Sequence, residues 1–119
     1  MASGGRDHRF NGRDSLLITT RGRRTGALRR TALYYGRDGD RYVLVATGER
    51  EPAWYRNLLA SPAAVVQVRT ETFAVVARTA EPAERPRLWA LMVAVFPRYE
   101  RYRAQAGRDL PIVVLDRRP

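Results

Sequence analysis

Apolar runs in this chain are short, and turn residues cut each of them before it can grow into a long helix. SLLITT (residues 15–20) stops at Arg21-Gly22, LRRTALYY (28–35) at Gly36, and YVLVAT (42–47) at Gly48. VVQVR (65–69) and TFAVVART (72–79) meet at Thr70-Glu71, and PIVVLD (111–116) ends the chain. Runs of this length, rich in Val, Ile, Leu, Thr and Tyr and bounded by Gly, Pro and Asp, read as strands. Asp38-Gly39 is a strong hairpin signal, because Gly enters positive φ at no steric cost. Six such strands with little helix between them predict a mainly β (α+β) domain: a six-stranded, mostly antiparallel barrel with two to three short helices at its edge.

The helical period appears in three places. Pro52 suits a first turn, and Trp54, Leu58 and the flanking Tyr55 and Leu59 share a face before Ser61-Pro62 ends the segment. Beyond Pro86, the residues Leu88, Leu91, Met92, Val95 and Phe96 follow i, i+3, i+4, i+7, i+8 until Pro97 breaks the pattern. Residues 98–106 form a further short helix with Tyr99 and Tyr102 on one side, ended by Gly107. A chain of 119 residues has room for one core. Residues 1–14 are too polar to bury surface and are expected to be a flexible leader, with residues 15–119 forming a single domain.

Many chemistries lack their central residue. There is no cysteine, so thiol nucleophiles, thiolate metal sites and disulfides are out. The one histidine, His8, falls in the leader, which leaves Ser-His-Asp catalysis and His-based metal sites without a centre. Asp38/Asp40 and Glu81/Glu84 sit in turns and at a helix start, not in the apolar surroundings that would raise a carboxyl for acid work. Gly22 to Gly26 lacks the Lys-Ser/Thr ending of a P-loop, and no Gly-x-Gly-x-x-Gly opens a helix. No apolar run is long enough to span a membrane and no signal peptide opens the chain, so a cytoplasmic protein with at most peripheral membrane contact is expected.

What remains is the segment TTRGRRTGALRRTALYY (19–35), with five arginines around one turn. Gly22 and Gly26 let the backbone bend, while Arg23, Arg24 and the Thr25 hydroxyl supply charge-assisted donors suited to a phosphate or carboxylate tail. The net charge of +10 points toward anionic partners in general. All 22 basic residues are Arg, a bias that weakens any inference from one Arg, and composition by itself favours a solvated hairpin tip. Trp54, Tyr55, Tyr99 and Tyr102 are open in the same way between core packing and the walls of a pocket for a flat ring.

Taken in order, LLITTRGRRTGALRRTALYY, RYVLVAT after Asp-Gly, PAWYRNLLASPAAVVQV, ERPRLW, FPRYERY and LPIVVLD resemble the deazaflavin (coenzyme F420)-dependent nitroreductase family. That family belongs to the flavin-reductase-like, FMN-binding split-barrel superfamily. The resemblance implies a six-stranded split β-barrel and an oxidoreductase that passes a hydride from reduced F420 to a small acceptor such as a quinone, nitro-aromatic or enone. It implies that Arg23, Arg24, Thr25, Gly26, Ala27, Leu28 and Arg29 hold the anionic tail, with Arg21 and Arg30 left as solvated surface. The ring would lie over Leu17, Ile18 and Thr19 and over Val45, Ala46 and Thr47, and Ala53, Trp54, Tyr55, Arg56 and Asn57 would close the tail side. Tyr99 would be the catalytic residue beside the ring, with Phe96 and Tyr102 shaping the substrate pocket. No metal is implied. Reduced deazaflavin is itself a hydride donor, so a chain without nucleophile or metal suffices.

The chain departs from the family pattern in residues 47–52, TGEREP, where members often have a Ser-Lys-Gly-Gly loop, and in lacking the family's N-terminal helix. The rival on the same fold is a protein that binds another flavin such as FMN, heme or a lipid without reductase activity. A basic barrel binding nucleic acid through Arg with Tyr34, Tyr35 and Tyr42 is a further alternative, although the arginines are spread along the chain and no nucleic-acid signature is present. Either a monomer or a homodimer is compatible with the sequence.

Overall fold

A computed structural model describes residues 9–10, 13–48 and 50–118. Its strands are β1 (Arg9–Phe10), β2 (Arg13–Arg21), β3 (Leu28–Tyr34), β4 (Gly36–Asp38), β5 (Arg41–Val45), β6 (Ala63–Val68), β7 (Glu71–Thr79) and β8 (Ile112–Arg117). The helices are α1 (Ala53–Ala60), α2 (Arg85–Val95) and α3 (Tyr99–Ala106). Every described pairing is antiparallel. From β2 the ladder passes through β6, β7, β8 and β5 to β4, and β3 pairs with the other side of β2. Only Tyr35 separates β3 from β4, so one segment of chain leaves β2 and joins β5, which makes the sheet a barrel.

The expected count of six strands therefore needs correction to eight. Two of the additions are short: β1, which pairs Arg9 with Asp14, and β4, which pairs Gly36 with Val43. The polar sequence of Gly36-Arg37-Asp38 hides β4, since it carries no apolar alternation; the β5 backbone, the Arg87–Asp38 pair and the Arg37 guanidinium over Tyr42 hold it instead. Strand β2 also begins inside the expected leader, at Arg13. His8 and the rest of that leader lie outside the described residues, as does Glu49 of the 47–52 loop.

The barrel is open at one end. Strand β4 covers β5 as far as Val43, while Leu44 and Val45 pair with β8 alone and β3 pairs with β2 alone among the described residues. The arginine turn, α1 and residues 46–48 gather around this split.

Two apolar clusters hold the fold. Inside the barrel lie Leu16, Ile18, Leu44, Val66, Val75, Val113 and Leu115, each at most 1% exposed, capped by Trp54, Tyr55 and Leu58 of α1. Outside it, α2 and α3 cover β5 and β8, burying Val43, Val45, Ile112 and Val114 against Leu88, Met92, Phe96 and Tyr99. This is why β5 and β8 are apolar on both faces while β6 and β7 alternate. Each fully buried aliphatic side chain contributes about 1.5–3 kcal/mol. Gly36 is required where α2 crosses β4, because a Cβ there would stand 2.8 Å from Met92 Sδ. None of the helices among the described residues is long and apolar enough to cross a membrane.

The start of α2 is tied to β7 by Glu84, whose carboxylate accepts from Arg78 Nη1 at 2.5 Å and from the Glu81 N–H at 2.8 Å. Its side chain is 18% exposed. The Arg78 bond first, then the Glu81 N–H, hold the Glu84 carboxyl down at about 2, against an ordinary 4.5. A depressed folded-state value stabilises the fold above about pH 4.5, and that contribution disappears as pH falls toward 2. Because Arg78 is partly solvated, the contribution is about 1–2 kcal/mol. Glu84→Gln should lose that amount at neutral pH and melt with a flatter pH dependence between 4.5 and 2, as thermal melts across that range would show.

Candidate functional site

The arginine turn is a closed backbone loop. Gly22 N–H donates to Ala27 C=O at 2.7 Å and Gly26 N–H to Gly22 C=O at 2.8 Å, while Gly26 takes φ 78°, a conformation costly for other residues. The Ala27 N–H donates to the Thr25 hydroxyl at 3.2 Å. Helix α1 fixes the turn from the side. Asn57, 3% exposed, accepts the Arg23 N–H at 3.2 Å and Arg23 Nη1 at 2.9 Å through Oδ1, and its Nδ2 donates to the Thr20 hydroxyl at 3.3 Å.

Turn, β3 and helix enclose a cleft of about 460 Å³ lined by Gly22, Arg23, Arg24, Thr25, Arg29, Arg30, Thr31, Ala53, Trp54 and Asn57. No acid lines it. Elsewhere five arginines are neutralised by carboxylates: Arg87 by Asp38, Arg78 by Glu84, Arg41 by Asp116, Arg117 by Glu71 and Arg103 by Glu100. Among the described residues Arg23, Arg24, Arg29 and Arg30 have no carboxylate partner. The Arg23 guanidinium is pushed below its ordinary value, first by desolvation and then by Arg56 and Arg24, as expected of cations gathered without counter-charge.

Two further hollows are linked to this cleft through Arg56 and Arg108. Arg56, whose charge reaches Arg23, lines a space of about 380 Å³ with Arg50, Glu51 and Arg108. Arg108 Nη2 donates to Gly48 C=O at 3.1 Å, and Gly48 with Thr47, Tyr102, Gln105 and Ala106 lines a hollow of about 540 Å³. A cationic edge thus runs from the arginine turn to α3.

The expected site residues separate into three groups. Arg23, Arg24, Thr25, Arg29, Ala53, Trp54 and Asn57 share the cleft, and Arg56 and Thr47 line the neighbouring hollows. Gly26 shapes the turn, whereas Ala27 and Leu28 beyond it are exposed, Leu28 by 68%. Ile18, Val45, Ala46 and Tyr55 are buried; Tyr55 bonds Thr79 Oγ1 at 2.8 Å, and Leu17 and Thr19 are half-buried on β2 between β3 and β6. Arg30, expected as solvated surface, lines the cleft, while Arg21 turns back on Gly26 C=O at 3.5 Å. Gly22, read from the sequence as a bend of the turn, also lines the cleft, whereas Thr31, Gly48, Gln105 and Arg108 carried no local signal as site residues, since long-range contacts place them.

On α3, Tyr99 is 5% exposed and packs edge-on to Phe96 at 5.1 Å, with Tyr102 and Trp89 at 6.3 and 6.4 Å. Burial pushes its phenol up, helped by Tyr34 and Tyr102, so it stays protonated at neutral pH. Tyr102, half-buried, is the tyrosine that lines the 540 Å³ hollow.

Known proteins share both this fold and this sequence. The F420H(2)-dependent quinone reductase of Mycobacterium tuberculosis is 39% identical over 118 residues, which cover 93% of this chain and 79% of that protein. A solved F420-H2 dependent reductase superposes with TM-score 0.79 at 29% identity, covering 86% of this chain and 93% of that one. A solved domain-swapped dimer superposes equally well, at 29% identity over 86% of this chain and 79% of that one. The sequence pattern of the F420H(2)-dependent quinone reductase family spans residues 1–117. With that match over almost its whole length, the chain belongs to the F420H(2)-dependent quinone reductase family.

Proposed function

We propose that this chain is an oxidoreductase that takes reduced coenzyme F420 and passes its hydride to a quinone-type acceptor. The observation that carries the proposal is the acid-free cleft in which Arg23, Arg24, Arg29 and Arg30 stand without carboxylate partners. A coenzyme with an anionic phosphate and glutamyl tail supplies the missing charge, and the donor set of guanidinium groups and turn N–H groups suits it. Family membership and the M. tuberculosis relative support the same coenzyme and acceptor class.

When bound, the coenzyme supplies a hydride at low potential. The protein's part is to hold the tail, place the ring and offer a proton. The arginine turn would grip the tail, and Thr47, Gly48 and Tyr102 frame the space for ring and acceptor. Trp54, 7% exposed at the base of the cleft, would keep water from its inner wall.

Titration of the purified protein with oxidised F420, followed by its fluorescence, tests the proposal, with FMN and heme as parallel ligands. Saturable binding of F420 with turnover of reduced F420 by a quinone is expected. Preference for FMN or heme, with no F420 binding, would sink it.

Tyr99 is proposed, on the family resemblance, as the proton donor to the reduced acceptor, with its ring 6.3 Å from that of Tyr102, which lines the hollow. Tyr99→Phe should fold and bind F420 as tightly as the parent while turnover falls by about tenfold or more, the lower range for loss of a positioned acid. Unchanged turnover with several acceptors would move that role away from Tyr99.

A further inference from the structure

Asn57 holds its arginine differently from the carboxylates, and from the backbone carbonyls that bind Arg21, Arg37, Arg85 and Arg108. Arg41, Arg78, Arg87, Arg103 and Arg117 are each fixed by a carboxylate, and Arg23 is fixed by an amide. A guanidinium only donates, so the Asn57 oxygen must face Arg23, and the amide nitrogen then points at Thr20 Oγ1. Asn57 and Thr20 are 3% and 1% exposed, so the amide is held on both sides within the fold, with its oxygen committed to Arg23. Its oxygen takes two donors from Arg23, one from the backbone and one from the guanidinium, which fixes the position of the turn and the direction of the side chain together.

We propose that Asn57 is a positioning residue: its neutral amide aims Arg23 into the anion cleft and leaves the full guanidinium charge for the ligand. A carboxylate at this place would hold Arg23 as firmly but would cancel its charge, as at the five carboxylate-bound arginines named above. An apolar residue would leave the charge intact but its direction free, with Thr20 and the Arg23 N–H losing a buried partner. Only a neutral acceptor with a second, donating end meets both needs. The inference rests on the proposed coenzyme, because it assigns the cleft's anion to the F420 tail.

The test is a double-mutant cycle read by F420 fluorescence and by thermal melting, with inorganic phosphate as a competing ligand. Asn57→Asp should melt within a few degrees of the parent, since it keeps the acceptor oxygen, yet bind F420 about tenfold or more weakly. Asn57→Ala should lose a similar factor. In an Arg23→Ala background Asn57→Ala should add less than about twofold, because residues acting through one another are not additive. A purely structural Asn57 would cost the same in both backgrounds, and that result overturns the inference. So does full F420 affinity in Asn57→Asp alongside a loss in Arg23→Ala. Undiminished affinity in Arg23→Ala itself overturns the tail placement and this inference together. Where Asn57→Ala does not fold, Asn57→Asp decides alone.

Discussion

Replacing Arg23 and Arg24 together with alanine is expected to weaken F420 binding by about 100-fold or more while leaving the melting temperature within a few degrees of the parent. Each charge-assisted hydrogen bond to an anion contributes about 1.5–3 kcal/mol, and two such groups leave the cleft at once. The fold should tolerate the change because both side chains are exposed and neither is paired with a carboxylate among the described residues. Arg24 has the simpler role. Arg23 also closes a bond to Asn57, so its loss frees the buried amide oxygen and accounts for what small stability cost there is. Fluorescence titration at two salt concentrations gives a second reading: the parent affinity should fall with added salt more steeply than that of the double variant, since fewer exposed charges remain to be screened. Equal affinity in the two proteins would place the tail elsewhere on the surface. Arg29→Ala and Arg30→Ala, in the same cleft, should each fall between the two.

The same turn shows how far sequence alone carries. Its backbone was legible, because two glycines spaced four residues apart between β-branched runs leave few ways to close a loop, and the structure closes it with the Gly22–Ala27 and Gly26–Gly22 bonds. Its chemistry was not legible from composition, because the excess of Arg runs through the whole chain; what distinguishes these arginines is that four of them converge on one cleft with no acid in its lining, and that is a property of the folded surface. Burial was equally hidden within the FPRYERY segment. Tyr99 and Tyr102 lie at i and i+3 on one helix side, yet one is sealed under α2 and the other lines a hollow. A one-turn offset along α3 is enough to separate them, and no pattern in the residues announces which way the helix is rolled. Asn57 was found as a cofactor contact by resemblance; its bond to Thr20, across 37 positions of sequence, is a long-range contact that no local pattern announces. Strands β5 and β8 were readable as apolar runs, whereas β4 was missed since it has no apolar alternation and is placed by long-range contacts, the β5 ladder and the Arg87–Asp38 pair.

Phe96→Ala is expected to be the most destabilising of the substitutions considered, by about 3–4 kcal/mol, and to spare the coenzyme cleft. Phe96 closes α2 and is 8% exposed, with Tyr34 at 4.8 Å on one side, Tyr99 at 5.1 Å and Tyr102 at 5.9 Å on the other. Truncating a buried aromatic typically costs 3–5 kcal/mol, and each lost ring pair adds to the cavity term. Denaturant unfolding should show the midpoint moving with little change in slope. Phe96→Leu refills most of the volume but none of the ring edges, so it should cost about 1–2 kcal/mol and fold well enough to assay. In that variant Tyr99 and Tyr102 lose the ring that sets their angle to each other. F420 affinity should therefore hold while the Michaelis constant for the quinone rises, the reverse of the pattern expected for the arginine variant. Phe96 packs on Tyr34, Tyr99 and Tyr102 while Arg23 bonds Asn57, so Phe96→Leu combined with Arg23→Ala/Arg24→Ala should be additive in both stability and affinity. Departure from additivity beyond about 0.5 kcal/mol would show that the aromatic cluster and the arginine turn are coupled through the barrel.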